Sequence, residues 1–197
     1  KGTLTSDEGK NAKVGINVWV MSRRLLQSAV DEAISLGLNN FERDIILNNI
    51  SSLKVYGYKY TGIYLPITSM EDYYKNNMKL LDPSIREAIF EQEDHHIYTK
   101  VRDSAPTRYG NDAKVENSFI ADGCEIEGTV INSILFRGVK VGKGTVVKNS
   151  ILMQDTITGN NVTLECVITD KNVAIRDRNH LAGCEKIPYY LSKNAMV

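Results

Sequence analysis

Side chains able to do chemistry are few in this chain, and their neighbours decide what each can do. His95 and His96 stand beside Glu93 and Asp94, donor types that would suit a divalent metal. Adjacent residues diverge around a helix and point oppositely on a strand, so the run reads as a solvated charged turn rather than a ligand set. His180, the remaining histidine, is a lone imidazole that could serve as a general base. Cys124, Cys166 and Cys184 are odd in number and widely spaced, which speaks against both a C-x-x-C zinc site and a disulfide framework. Cys124 and Cys166 read as small apolar packing groups. Six cations, Lys100, Arg102, Arg108, Arg137, Lys140 and Lys143, could receive the phosphates of an anionic ligand. They also read as the ordinary charge that keeps strand exteriors soluble. Tyr56, Tyr58, Tyr60 and Tyr64 alternate with other residues and read as half-buried sheet faces, not as a base-stacking platform.

The elements that must position these groups follow from composition and pattern. The chain has 197 residues, 24 basic and 24 acidic side chains and a hydrophobic share of 42%, which suits one or two globular domains and excludes disorder, collagen and coiled coil. Balanced charge leaves no electrostatic footprint for nucleic acid or an anionic membrane surface. No apolar run approaches the ~20 residues of a membrane-spanning helix. The opening Lys1-Gly2-Thr3-Leu4 has no apolar stretch behind a basic start, so no secretory signal is expected, and unpaired thiols suit a reducing, cytoplasmic compartment.

Two textures meet near residue 100. Residues 1–92 read as α/β, 93–110 as a connector and 111–197 as a repeat. In the first part, Val14 to Met21 is β-rich and predicts a buried strand. Ser22 is placed to cap a helix whose Leu25, Leu26, Ala29, Val30, Ala33 and Ile34 share one face against a sheet, and Gly37 to end it. A short helix around Phe41 to Asn49 and strands at Leu53 to Tyr60 and Gly62 to Leu65 follow. Thr68-x-x-Glu71 is a capping-box pattern for a helix from Met70 to Leu81, and Asp82-Pro83 starts another.

The repeat begins at Val115, Val130, Val147 and Leu164, spaced by 15, 17 and 17 residues, and each unit contains steps of four to six: Val115, Ala121, Ile126, Val130, Phe136, Val141, Val147, Met153, Thr158, Leu164, Asp170, Ile175 and Leu181. Three short strands per turn, each sending an apolar side chain inward, build a triangular prism of stacked parallel coils. Glycine at Gly142 and Gly144 suits the corners. The final stretch through Leu181, Ile187, Pro188, Tyr189, Tyr190 and Leu191 can cap the prism or meet a partner.

These stretches resemble the ADP-glucose pyrophosphorylase (glucose-1-phosphate adenylyltransferase) family, in particular its GlgD-type regulatory subunits. The resemblance is carried by Ser69-Met70-Glu71-Asp72-Tyr73-Tyr74 with Asn77-Met78-Lys79-Leu80-Leu81, by Ile97-Tyr98-Thr99-Lys100, and by the hexads of Gly138 to Gly144. It implies the C-terminal part of a Rossmann-like nucleotidyltransferase domain followed by a left-handed parallel β-helix of hexapeptide repeats. The family's Gly-rich nucleotide loop, first metal carboxylate and sugar-phosphate lysine have no counterpart in this stretch, and adenylyl transfer needs such groups to hold phosphates and Mg²⁺.

Where the chain aligns with the family's remaining site motifs, it departs from them. The W-x-D-V-G-T segment falls on Tyr64-Leu65-Pro66-Ile67-Thr68-Ser69, so Pro66, which has no side-chain oxygen, stands at the metal aspartate's position. The D-F-G-x-D-I-I-P segment falls on Asn40 to Leu47, where Asn40 replaces a sugar-contacting aspartate beside Phe41. In the S-M-G-I-Y segment Gly15, Asn17 and Trp19 replace serine, glycine and tyrosine. Gly15, Trp19, Asn40 and Phe41 are therefore expected to form a degenerate sugar-phosphate site. The resemblance implies a non-catalytic regulatory subunit with no metal or cofactor of its own, working with a catalytic adenylyltransferase subunit that uses Mg²⁺ and ATP, in a hetero-oligomer such as a tetramer. A sugar-phosphate or nucleotide effector would meet the six cations near the domain junction. An active adenylyltransferase is the alternative. A hexapeptide-repeat acyltransferase with His180 as base is a further one, although those enzymes carry more coils and an excursion loop.

Overall fold

The computed structural model describes residues 15–94 and 96–197. They fall into two compact units, one running up to Tyr60 and one from Thr61 to Val197.

The second unit is built on a parallel β-helix whose three faces are each a five-stranded sheet. The first face stacks Arg108–Tyr109, Glu125–Ile126, Lys140–Val141, Ile157–Thr158 and Ala174–Ile175. The second stacks Lys114–Glu116, Thr129–Ile131, Val146–Lys148, Thr163–Glu165 and His180–Ala182. The third stacks Phe119–Ile120, Ile134–Leu135, Ile151–Leu152, Val167–Thr169 and Tyr189–Leu191. Val115, Val130, Val147, Leu164 and Leu181 are register partners along the second face, in agreement with the repeat read from the sequence. Ile126 pairs with Val141 and Thr158 with Ile175 on the first. From the second coil onward these apolar side chains fill a buried interior that includes Ile126, Val130, Val147 and Leu164.

The third face corrects the expected hexad register by one residue. Leu135, Leu152 and Thr169 are the fully buried inward residues, whereas Phe136, Met153 and Asp170 are only half-buried. The physical reason is that this face is covered on its outside too. Tyr74 joins Ile134, Ile151, Cys166 and Ile168 in a second buried cluster against which Tyr73, Met78 and Leu81 pack.

Each turn of the prism requires corners with positive φ. Asn117, Asn132, Asn149 and Cys166 take φ of 41 to 50° at equivalent places after the second face, where asparagine is among the residues that tolerate the left-handed region. A buried serine follows each of the last two asparagines. Ser133 Oγ accepts from the Ser150 amide and Ser150 Oγ from the Val167 amide, at 3.1 and 3.0 Å, while each hydroxyl donates to the carbonyl two residues back. The recurring Asn-Ser pair thus serves as a turn and a coil-to-coil hydrogen bond. The tail continues the stack: Tyr189–Leu191 pairs with Val167–Thr169, Leu191 is buried, and Met196 bridges to Ala174. It caps the end of its own prism.

Ahead of the prism, α2 (Met70–Met78) runs into a 3₁₀ turn at Lys79–Leu81, then α3 (Pro83–Phe90). The cap of α2 lies one residue later than expected. Ser69 Oγ accepts from the Asp72 amide at 3.0 Å, and Thr68 Oγ1 donates to the Asp72 carboxylate. Asp82 caps α3 with Pro83 in its first turn, as read.

The first unit holds α1 (Arg23–Leu36), capped by Ser22 and ended by Gly37 at φ 65° as expected, and a π-helical stretch Phe41–Leu47. Two expectations fail here. No described residue between 15 and 65 lies in a β-strand, so the strands placed at 14–21, 53–60 and 62–65 are not seen; Val14 itself lies outside the described residues. α1 buries none of its residues, so its apolar face is not packed on a sheet. A strand exists only through ladder hydrogen bonds to a neighbour, and β-rich composition alone does not supply them.

Candidate functional site

In the first unit three of the four residues expected at the degenerate sugar-phosphate site lie close together. The rings of Trp19 and Phe41 meet edge to face with centroids 6.1 Å apart. Trp19 Nε1 donates to Asn17 Oδ1 at 3.1 Å. Asn40 caps its own helix: its Oδ1 accepts from the Arg43 backbone amide at 2.8 Å, and its backbone amide donates to Asp44 Oδ2 at 3.1 Å. The Arg43 guanidinium, bonded to the same carboxylate, holds Asp44 below the usual aspartate range. Gly15 faces the Glu42 carboxylate. These residues thus offer an aromatic corner, a side-chain oxygen already used as a cap and a carboxylate, and the Arg43 guanidinium is committed to Asp44.

In the second unit Pro66 stands where the family resemblance expects a metal aspartate. Its one oxygen, the backbone carbonyl, accepts from Asn76 Nδ2 at 2.6 Å. Asn76 is buried, and its Oδ1 takes Lys79 Nζ at 3.0 Å. These residues do not fit a Mg²⁺ ion, which requires oxygens free to enter an octahedral shell. Among the described residues no three His, Cys, Asp or Glu side chains gather as a metal-holding group.

Of the six expected phosphate contacts, Arg108, Arg137 and Lys140 are engaged in ion pairs. Glu125 sits between Arg108 and Lys140 on the first prism face, ion-paired to both, with Lys140 Nζ 2.9 Å away. Lys140 and then Arg108 pull the Glu125 carboxyl below its ordinary range. Arg137 Nε donates to Asp122 Oδ1 at 2.8 Å and lowers that carboxyl in turn. Lys143 is exposed at a corner, its backbone amide bonded to Asn160 Oδ1 at 2.9 Å. Lys100 and Arg102 are exposed on the extended connector. His95 lies outside the described residues, His96 packs edge-on to Tyr98, and His180 is exposed on the second face.

Sequence reasoning missed the contact that ties α2 to the prism. The buried Tyr74 hydroxyl donates to the Asn149 carbonyl at 2.7 Å and lies 3.6 Å from Cys166 Sγ. Burial, then the neighbouring thiol, push this phenol well above its ordinary range. A signal was available: Asn117, Asn132 and Asn149 occupy one repeat position, and Cys166 breaks the series. Beside this contact lies an open groove of about 400 Å³, with Ile67, Ser69 and Tyr73 on one side and Met153, Asp170 and Tyr190 on the other.

Comparison with known proteins places this geometry. The family described as "GlmU-like, C-terminal hexapeptide" matches residues 101–186, which contain most of the prism. The glycogen biosynthesis protein GlgD of Bacillus subtilis (strain 168) is 39% identical over 178 residues, 90% of this chain and 51% of that protein. GlgD of Geobacillus stearothermophilus is 56% identical over 72 residues, 36% of this chain and 21% of that protein. The chain is a homologue of GlgD. A glucose-1-phosphate adenylyltransferase from Thermosipho melanesiensis is 36% identical over 140 residues, 70% of this chain and 33% of that enzyme, so the GlgD homologue is related to the enzymes as well. It spans about half, or less, of these relatives' length. Among the described residues no helix is long and apolar enough to cross a membrane.

Proposed function

We propose that this GlgD homologue acts in glycogen biosynthesis as a regulatory, non-catalytic subunit of glucose-1-phosphate adenylyltransferase, alongside a catalytic subunit that binds Mg²⁺ and ATP. The observation that carries this reading is Pro66: where the family resemblance expects a metal carboxylate, it offers only a backbone carbonyl, which accepts from Asn76. Adenylyl transfer moves phosphorus between anionic oxygens and depends on a metal and donors aimed at the developing charge. Asn40, uncharged and with its Oδ1 used to cap its helix, supports the same reading from the sugar side.

The prism supports a role in assembly. Its first and second faces present strand exteriors not covered by the helices that line the third, and GlgD-type proteins are expected to meet a catalytic homologue in the cytoplasm. The reading is tested by pyrophosphate release from ATP and glucose 1-phosphate, with the chain alone, the Pro66→Asp variant, and the chain mixed with a catalytic homologue. Neither form alone turns over, and the chain co-elutes with the catalytic homologue and alters its response to sugar-phosphate effectors. Mg²⁺-dependent, glucose-1-phosphate-dependent turnover by the chain alone would establish the active adenylyltransferase instead.

A further inference from the structure

The departure from asparagine at Cys166 and the approach of Tyr74 occur at the same corner. Asn117 and Asn132 stack there with Nδ2 donating to Oδ1 at 2.8 Å. At Cys166 the smaller side chain leaves room, and Tyr74 enters from α2 to satisfy the Asn149 carbonyl. From the same helix Asn76 reaches the other way and holds the carbonyl of Pro66 at 2.6 Å. One helix therefore grips a prism corner with one buried side chain and the backbone of the Pro66 segment with another.

What lies beside this helix makes the connection selective. The open groove separates Ile67 and Ser69 from Met153 and Asp170, so the stretch following Pro66 is not pressed directly onto the prism along its length. Through Asn76 it is tied to α2, which is itself anchored to the prism by Tyr74. Tyr73, one residue before Tyr74, lines the groove, which brings anything occupying that space against the same helix.

We propose that α2 is a strut through which the prism corner at Asn149 and Cys166 sets the conformation of residues 66–69, with Tyr74 as its anchor and Asn76 as its grip. A displacement at the corner, whether from a neighbouring subunit or a ligand, is then delivered to the segment that the family resemblance places at the catalytic metal. The strut is a property of this chain's own packing and stands whether or not the proposed regulatory function is correct.

Cys166 supplies a reporter, because its thiol is buried beneath Tyr74. The experiment follows thiol labelling of Cys166 and amide exchange of residues 67–72 by mass spectrometry in the whole chain, with Tyr74→Phe and Asn76→Ala. Tyr74→Phe keeps the ring and removes the hydroxyl. It raises Cys166 labelling and 67–72 exchange together by about fivefold, the ratio that one net hydrogen bond supplies, while the strands at 146–148 and 163–165 keep their protection. Asn76→Ala raises exchange at 67–72 and leaves Cys166 labelling unchanged. Faster Cys166 labelling without faster 67–72 exchange in Tyr74→Phe would overturn the strut, as would unchanged exchange in both variants. Loss of protection throughout the prism, or equal release of Cys166 by Asn76→Ala, would also overturn it, since the contact would then be general packing.

Discussion

The prism and the unit up to Tyr60 are both patterned with apolar residues, yet only one of them buries its pattern. Ile126, Val130, Val147 and Leu164 have no exposed surface, whereas α1 buries nothing and Val20 is 97% exposed. The difference is where the covering neighbour comes from. In a solenoid each coil is covered by the next one along the chain, so the interior closes through contacts roughly one repeat apart. An α/β layer needs strands brought from afar, and an amphipathic helix gains most of its stability from such packing and little from propensity. Among the described residues of the first unit, only Ile45 and Ile46 reach a buried position.

The widest separation between the two regions is expected from one substitution made in each. Val147→Asp places an unpaired carboxylate in the buried interior, at a cost of several kcal/mol, about 3 or more. Val20→Asp puts the same group in water and changes stability by about 0.5 kcal/mol or less. Chemical denaturation of both variants measures the contrast. Comparable losses would mean that Val20 is covered in solution and that the first unit is packed after all.

A smaller contrast comes from glycine. A Cβ on Gly142 would overlap the carbonyl of Gly159 on the next coil, and one on Gly57 meets nothing within 4 Å. Gly142→Ala must push two coils apart, costing about 1–3 kcal/mol as overpacking does. Gly57→Ala costs nothing and gains up to about 1 kcal/mol by restricting the unfolded chain. Thermal melts of the two variants test this, and a Gly142→Ala protein as stable as its parent would show that coil spacing is adjustable.

The same comparison explains what could be read in advance. The repeat was legible because Val115, Val130, Val147 and Leu164 recur in register. The third face was misread by one residue because Ser-Ile-Leu-Phe and Ser-Ile-Leu-Met are covered on both sides, inside by the core and outside by Tyr74 and its neighbours. Two-sided burial erases the alternation that tells inside from outside. The caps at Ser22, Gly37 and Asp82 were legible since capping is local; the strands expected at 14–21, 53–60 and 62–65 were misread, since composition reports β propensity and not ladder pairing. Around Pro66 the sequence could show a missing carboxylate but not that Asn76 takes the remaining carbonyl, a contact set by the fold of the segment.

The smallest expected effect lies in the charges, and it divides the two regions in the same way. Glu125 is paired with Arg108 and Lys140 on adjacent coils, partners that separate when the prism unfolds. Asp44 is paired with Arg43, its neighbour in sequence, which stays close in either state. Lys140 and Arg108 depress the folded-state pKa of Glu125, so its contribution is fully present above the ordinary glutamate range and is lost as pH falls through the depressed folded value. The prism of the parent protein should therefore melt slightly higher than that of Glu125→Gln at neutral pH, and the gap should close on acidification and shrink in ~1 M salt, where screening is short-ranged. Asp44→Asn should show a weaker pH dependence, because less of its pairing is created by folding. A Glu125→Gln gap that persists unchanged into acid would mean that the side chain acts by packing on the first face, and the coil-to-coil ion pairs would then add nothing to what the apolar interior already holds together.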